Sequence, residues 1–166
     1  EERPRPAPRA RQLCPKTPDL PVGEAFASAC APATASAVEA RLRADLADRL
    51  EFTPGLTAVR VARPFFEHRE VWPDIAIPEL RIAVEYDSTG RHGLEHVGPR
   101  EQADRRKDRA LRSAGWEVVR IRTGRLEKLG PFDLQVAGTG RRTVTQLLDA
   151  FRAIRGDLIV EAYRRR

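Results

Sequence analysis

The stretch Trp72–His92, WPDIAIPELRIAVEYDSTGRH, holds two short apolar runs on either side of a Pro78-Glu79-Leu80-Arg81 turn. In an antiparallel pair, residues equidistant from the turn centre face each other and side chains alternate between faces. With Glu79 and Leu80 as the central turn residues, Asp74 lies opposite Glu85, and Asp87 follows on the same face. Ile75 with Val84 and Ile77 with Ile82 then share the other, buried face. Only Ala76 and Ala83 stand between the acids, small enough to leave them accessible. Clustered carboxylates repel one another unless a cation or proton neutralises them. The spacing therefore predicts a divalent-metal site on Asp74, Glu85 and Asp87.

Working outward, Ser36-Ala-Val-Glu39 has the S-x-x-E spacing of a capping box, which satisfies two backbone donors at a helix start. Val38, Leu42, Leu46 and Leu50 continue it at spacing four, so a helix is predicted to Leu50. Glu39 is its capping acid and is also placed to face the acid cluster. Leu56 to Arg63 and Phe65 to Val71 read as strands broken at Pro64. After Gly98-Pro99 comes a strongly charged helix with Ala103, Ala110, Leu111 and Ala114 as its narrow apolar stripe and Gly115 as its end. Trp116 to Ile121 is a short buried strand. Val144, Leu147, Leu148, Phe151 and Ile154 follow helical spacing before Gly156, and Leu158-Ile159-Val160 is a last strand or a second helical piece. Gly23 to Pro32 has room for a helical turn. This order is a mixed α/β layer arrangement. The chain divides into a Pro/Arg-rich arm or linker (1–33), a core (34–125) and a C-terminal helical extension packed on the core (126–166).

The 166 residues suffice for one domain with a real core. Thirty Lys+Arg exceed 24 Asp+Glu for a net charge of +6, and nearly all of the excess is arginine, whose planar fork suits phosphate. A polyanionic partner fits this balance, although a GC-rich genome produces the same bias. No apolar run approaches the roughly 20 residues that span a bilayer, which argues against a membrane partner. No n-region followed by an h-region appears at the start, so a secretory route is not expected, and a reducing cytoplasm is the expected setting. Cys14 and Cys30 are too few and too isolated for a disulfide framework or a structural zinc site, and His68, His92 and His96 show no ligand spacing with them. His68 and His96 read as surface residues. The chain opens on Glu1 and contains no methionine, so a longer parent protein is expected.

Residues 36 to about 123, about half of the chain, resemble the PD-(D/E)XK restriction-like nuclease superfamily, and within it the very-short-patch repair endonucleases and their relatives. The resemblance is carried by Ser36-x-x-Glu39 with Leu42, by Pro73-Asp74, by Glu85-Tyr86-Asp87 with His92 after it, by Asp104-Arg105-Arg106-Lys107-Asp108-x-x-Leu111, and by Ala114-Gly115-Trp116-x-Val118-x-Arg120. It implies a restriction-endonuclease-like core, a central mixed sheet flanked by helices. It also implies a DNA endonuclease or nickase dependent on Mg²⁺, with Mn²⁺ as a substitute. Asp74, Glu85 and the Tyr86 carbonyl would hold the ion, in keeping with magnesium's preference for oxygen ligands and retained waters. Asp87 stands where most of the superfamily keeps a lysine. The repair-nuclease branch also lacks that lysine and has a prominent histidine. Asp87 then becomes a further ligand or orienting group, and His92 activates water or protonates the leaving oxygen. Lys107 is a candidate for the missing cation. Ser88-Thr89-Gly90-Arg91, where relatives place glycine straight after the acid, alters the loop that carries His92.

Arg91, Arg100, Arg105, Arg106, Lys107 and Arg109 are the candidate phosphate contacts, which would position a duplex without reading its sequence. The simpler reading of the helix is a solvated face laced with i,i+4 pairs to Glu101, Asp104 and Asp108, with Arg112 among the basic members. The missing lysine also leaves open a non-catalytic DNA-binding or targeting module of a larger defence or mobile-element protein.

Overall fold

A computed structural model describes residues 12–33, 36–90, 93 and 95–166. In chain order the elements are β1 (Ala25–Phe26), α1 (Ala37–Ala47), β2 (Ala58–Phe65), β3 (His68–Val71), β4 (Ile75–Ile77), β5 (Ile82–Asp87), α2 (Pro99–Ser113), β6 (Glu117–Thr123), β7 (Leu134–Val136), α3 (Arg141–Arg155) and α4 (Asp157–Ala162). They form two sheets flanked by helices. One is antiparallel, in the order β1-β2-β3; the other is mixed, in the order β4-β5-β6-β7. The β4–β5 hairpin has the register read from the sequence, with Ile75 opposite Val84, Ala76 opposite Ala83 and Ile77 opposite Ile82. Its turn closes through the Leu80 N–H to the Ile77 carbonyl and the Arg81 N–H to the Pro78 carbonyl, each 3.2 Å. Strands β6 and β7 then add in parallel.

The mixed sheet is covered on both faces. Ile75, Ile77, Ile82, Val84, Val119 and Ile121 pack against Leu42, Leu46 and Leu50 and against Val144, Leu147, Leu148 and Phe151 of α3. Each such leucine or phenylalanine, fully removed from water, contributes roughly 1.5–3 kcal/mol. On the opposite face Ala76, Ala83 and Val118 meet Leu111, Ala114, Trp116 and the valines of the antiparallel sheet. The alanines are therefore not an open floor between acids. They are the thin part of a second core, in which α2 packs over β2 and β6.

Other sequence expectations shift. The capping box forms as read, with Ser36 and Glu39 exchanging side-chain-to-backbone bonds of 3.2 Å. Leu42 and Leu46 are buried, whereas Val38 faces outward. Strand β2 runs through Pro64, and the turn falls one residue beyond Phe65, at Phe66-Glu67. The register with β3 shifts between Arg60 and Phe65, where proline has no N–H to give. Within the segment read as an arm, β1 pairs with β2, and the expected helical turn is extended backbone. Gly23 is locked in place: its N–H donates to the Arg60 carbonyl at 2.8 Å and its carbonyl accepts from Trp116 Nε1 at 2.7 Å. Its φ of +93° and the 2.5 Å that would separate an added Cβ from the Ala114 oxygen leave space for glycine alone.

The region from 126 onward is likewise more than an outer helical extension. It supplies β7 to the mixed sheet and α3 to the larger core. Leu158-Ile159-Val160 is helical, within α4. Among the described residues, no helix is long and apolar enough to cross a membrane.

Candidate active site

Three elements bring carboxylates to one end of the hairpin. Asp74 stands just ahead of β4. Its carbonyl accepts from Arg43 Nη2 of α1 at 2.7 Å, and its Oδ2 accepts the Tyr86 N–H at 2.8 Å. Glu85, one residue earlier on β5, is 3% exposed. Glu39 arrives from α1, one turn before Arg43, and serves the capping box while turned toward Asp74. Helix α2 answers these acids with one cation: Lys107 Nζ lies 2.6 Å from Glu85 Oε1. Leu111, one turn further along α2, is anchored in the alanine-side core, and that anchoring aims Lys107 at β5.

The acids sense one another. Burial first, and then the charge of Asp74, push the Glu85 carboxyl well above its ordinary range, against the pull of Lys107 and Arg120. Burial and then Asp74 also raise Glu39, against its bonds to Ser36. Glu39 and Asp74 border a cleft of about 420 Å³ lined also by Arg43, Trp72 and Lys107, and buried Glu85 meets it through Lys107. A larger hollow of about 840 Å³ lies between α1 and the start of α3, but its charges include the solvent-facing pair Arg41–Asp45 at 3.9 Å. Size does not locate the site; the uncompensated acids do.

Asp87, expected beside Asp74 and Glu85 as a ligand, is engaged elsewhere. Arg120 Nη1 donates to both of its oxygens at 3.0 Å, Arg122 Nη1 donates to Oδ2 at 2.9 Å, and Thr123 Oγ1 donates to its carbonyl at 2.9 Å. Arg120 also donates to both Asp108 oxygens, and Arg122 Nε donates to the Glu127 carbonyl. With two guanidinium groups on it, Asp87 is matched by arginine rather than shared with Asp74 and Glu85. It anchors β5 to β6 instead.

His96 joins this second cluster, with Nδ1 2.7 Å from Asp104 Oδ2 and 3.4 Å from Asp87 Oδ1. Burial works to lower its pKa, but the Asp104 hydrogen bond and the charges of Asp87 and Asp104 outweigh it and raise the imidazole. His96 is thus a paired group rather than a bare surface residue.

No protein-family model, curated protein or solved structure matches the chain. Its chemistry is read from these contacts alone.

Of the other candidate residues, His92 and Arg91 lie outside the described residues. Tyr86 contributes its amide, donated to Asp74. Arg105 pairs with Glu101 at 3.5 Å, as the solvated-face reading expects. Arg106 instead lies over the Phe66 ring, 4.6 Å from its centroid. Arg100 and Arg109 are exposed. The residues that sequence reading missed are Arg43, His96, Arg120 and Arg122. A signal existed for the last two: they alternate with Val119 and Ile121, so they share a sheet face with Val118. Nothing in the sequence alone paired that face with Glu85 and Asp87.

Asp74 and Glu85 suit a hard divalent cation. Two carboxylates crowd one end of the sheet, one of them raised above its ordinary range first by burial and then by its neighbour's charge, with Lys107 the cation in contact. Among the described residues, the groups of three ligand atoms within 4.8 Å of one another are Cys14/Cys30/His68 and Asp87/His96/Asp104, so Asp74 and Glu85 form a pair and not a closed cage. Magnesium typically uses such a pair, completing its shell with waters and phosphate oxygens.

Proposed function

We propose that the protein is a metal-dependent DNA endonuclease or nickase with a restriction-endonuclease-like core. The observation that carries this reading is the Lys107 ammonium, 2.6 Å from Glu85 beside Asp74. The chain lacks a lysine two residues after Glu85, and α2 supplies one from across the cleft. A lone acid pair would be a binding site. An acid pair with a fixed ammonium also has a group to steady an attacking water and the charge on a phosphate.

Asp74 and Glu85 are the residues that would hold Mg²⁺, which when bound supplies Lewis-acid charge at the scissile phosphate. Asp74 is oriented by the Tyr86 amide and, through its own carbonyl, by Arg43. Lys107 holds Glu85 toward its ionised form against burial, and its Nζ is the cation nearest the acid oxygens. Glu39 lies on the α1 side of the same cleft, where it can accept a proton from water. Arg100 and Arg109, exposed on α2, and Arg106 supply the positive surface for a phosphate backbone.

The test is nicking of supercoiled plasmid with Mg²⁺ or Mn²⁺ by wild type and by Asp74→Asn, Glu85→Gln and Lys107→Ala. Wild type is expected to nick, and each variant to lose activity while retaining a wild-type circular dichroism spectrum. Plasmid binding without nicking would favour the non-catalytic DNA-binding module. Full activity in Asp74→Asn would place the chemistry elsewhere.

A further inference from the structure

We propose that Cys14, Cys30 and His68 bind one Zn²⁺ ion that fastens the N-terminal segment to the antiparallel sheet. The three residues are remote in sequence, and the fold brings them together. Cys14 is tied to the β2–β3 turn by its N–H, which donates to the Glu67 carbonyl at 2.7 Å. Cys30 follows β1, and its N–H donates to Ser28 Oγ at 3.0 Å. His68 opens β3. The ligand atoms of all three lie within 4.8 Å of one another.

The sulfur spacing separates metal binding from the other uses of two cysteines. Both are free thiols, with Sγ atoms 3.9 Å apart. A disulfide requires about 2.05 Å. Two thiolates on a tetrahedral zinc, each about 2.3 Å from the ion, stand about 3.8 Å apart. An imidazole completing the set is the donor a soft, tetrahedral ion takes, and two thiolates with a neutral histidine leave the Zn²⁺ site uncharged.

Glu70 is the second, independent observation. It lies two residues after His68 on β3, so the two side chains share a sheet face. It is 1% exposed; its Oε1 accepts from Ser28 Oγ and from Trp72 Nε1, the latter at 2.6 Å, and its Oε2 is buried without a hydrogen-bond partner. A water in the fourth zinc position would donate to such an oxygen, as carboxylates behind metal sites commonly arrange. The three ligands are only partly buried, which leaves the site open to an ion from solvent.

The experiment uses the full chain, purified under reducing conditions and stripped with chelator. Co²⁺ titration should saturate at one equivalent with the visible bands of a tetrahedral site and a thiolate-to-cobalt charge-transfer band, both displaced by Zn²⁺. His68→Ala keeps both thiols and should weaken zinc binding by at least tenfold in competition with a chromophoric chelator. Cys14→Ser should abolish the charge-transfer spectrum of two thiolates, with circular dichroism establishing that each variant is folded. Asp74→Asn should leave the band unchanged, which separates this ion from one at the acid pair. The proposal is overturned by absence of the thiolate band in the reduced protein, or by equal zinc affinity in wild type and folded His68→Ala.

Discussion

Glu85 and Asp87 are two residues apart on one strand, share one face and are both buried, yet they sit in opposite electrostatic situations. Asp87 has Arg120 and Arg122 on its oxygens, and Asp108 shares Arg120. Glu85 has Lys107, and Asp74 and Glu39 crowd the same end of the sheet. Position does not distinguish the two acids; direct guanidinium contact does, because Arg120 hydrogen-bonds Asp87 and reaches Glu85 only through its charge. A buried carboxylate matched by guanidinium groups is a structural rivet. One left under-matched is a place where a cation, and hence chemistry, has something to gain.

The largest expected effect comes from undoing the match. Asp87→Ala takes their shared acid from two buried guanidinium groups, leaving Arg120 with Asp108 and Arg122 with the Glu127 carbonyl, and breaking such a network costs about 3–5 kcal/mol. Asp74→Asn keeps the acceptor for the Tyr86 amide and is expected to change stability by no more than about 1 kcal/mol. Urea unfolding of both variants reads the difference. If Asp74→Asn loses as much as Asp87→Ala, the two clusters are the same kind of object and the contrast falls.

Glu85→Gln sharpens the comparison through pH. A carboxyl whose pKa is raised by folding contributes stability that is present below its unfolded pKa and is lost as pH rises through the folded value. Without divalent cations, wild type should therefore lose stability relative to Glu85→Gln as pH climbs above the ordinary carboxylate range. Added Mg²⁺ should restore the wild type alone. Thermal melts with and without chelator measure this, and parallel pH profiles for the two proteins would contradict it.

A smaller effect belongs to His96. Its raised pKa makes its contribution complete below the ordinary histidine value and lost as pH rises through the folded one. Asp104 is lowered: burial opposes the shift, but the His96 hydrogen bond and Arg120 prevail. Its contribution is therefore lost in the opposite direction, as acid protonates it. The pair is at full strength between the two, and His96→Gln should cost roughly 1 kcal/mol in that window, discounted for partial exposure, and nothing well above it. Chemical denaturation across pH reads it.

The smallest change is expected from Arg106→Ala. It removes a ring contact worth about 0.5–1 kcal/mol and, if the residue touches phosphate, reduces the salt slope of DNA binding by about one. Anisotropy titrations over a salt series distinguish a lost phosphate contact from a lost ring contact.

The hairpin could be read from sequence because its register follows from a turn and a period of two, both local. The α1 cap, the α2 stop at Gly115 and α3 were equally local. Asp87 was placed on the right face, but its arginine partners were missed because they come from β6, which pairs with β5 across a helical crossover. Alternation assigns a residue to a face and says nothing of what stands opposite. The alanine face was misread for the same reason: the sequence does not state that α2 and a second sheet lie over it. Lys107 stood among other basic residues, and only Leu111's burial, a tertiary fact, selects it. Cys14, Cys30 and His68 meet across 54 residues of chain, beyond the reach of any spacing rule.

Strand β7 carries one more consequence. The Arg120 N–H of β6 is taken by Asp133 Oδ1 at 2.9 Å, and from Ile121 onward β6 pairs with β7. A chain cut after residue 125 would keep every residue of the acid and lysine cluster, yet would present β6 as a bare row of amides and carbonyls flanked by apolar side chains. Such an edge recruits strands from other molecules. The shortened protein should be recovered as aggregates in spite of an intact acid and lysine cluster, and any truncation has to spare both β7 and the core residues of α3.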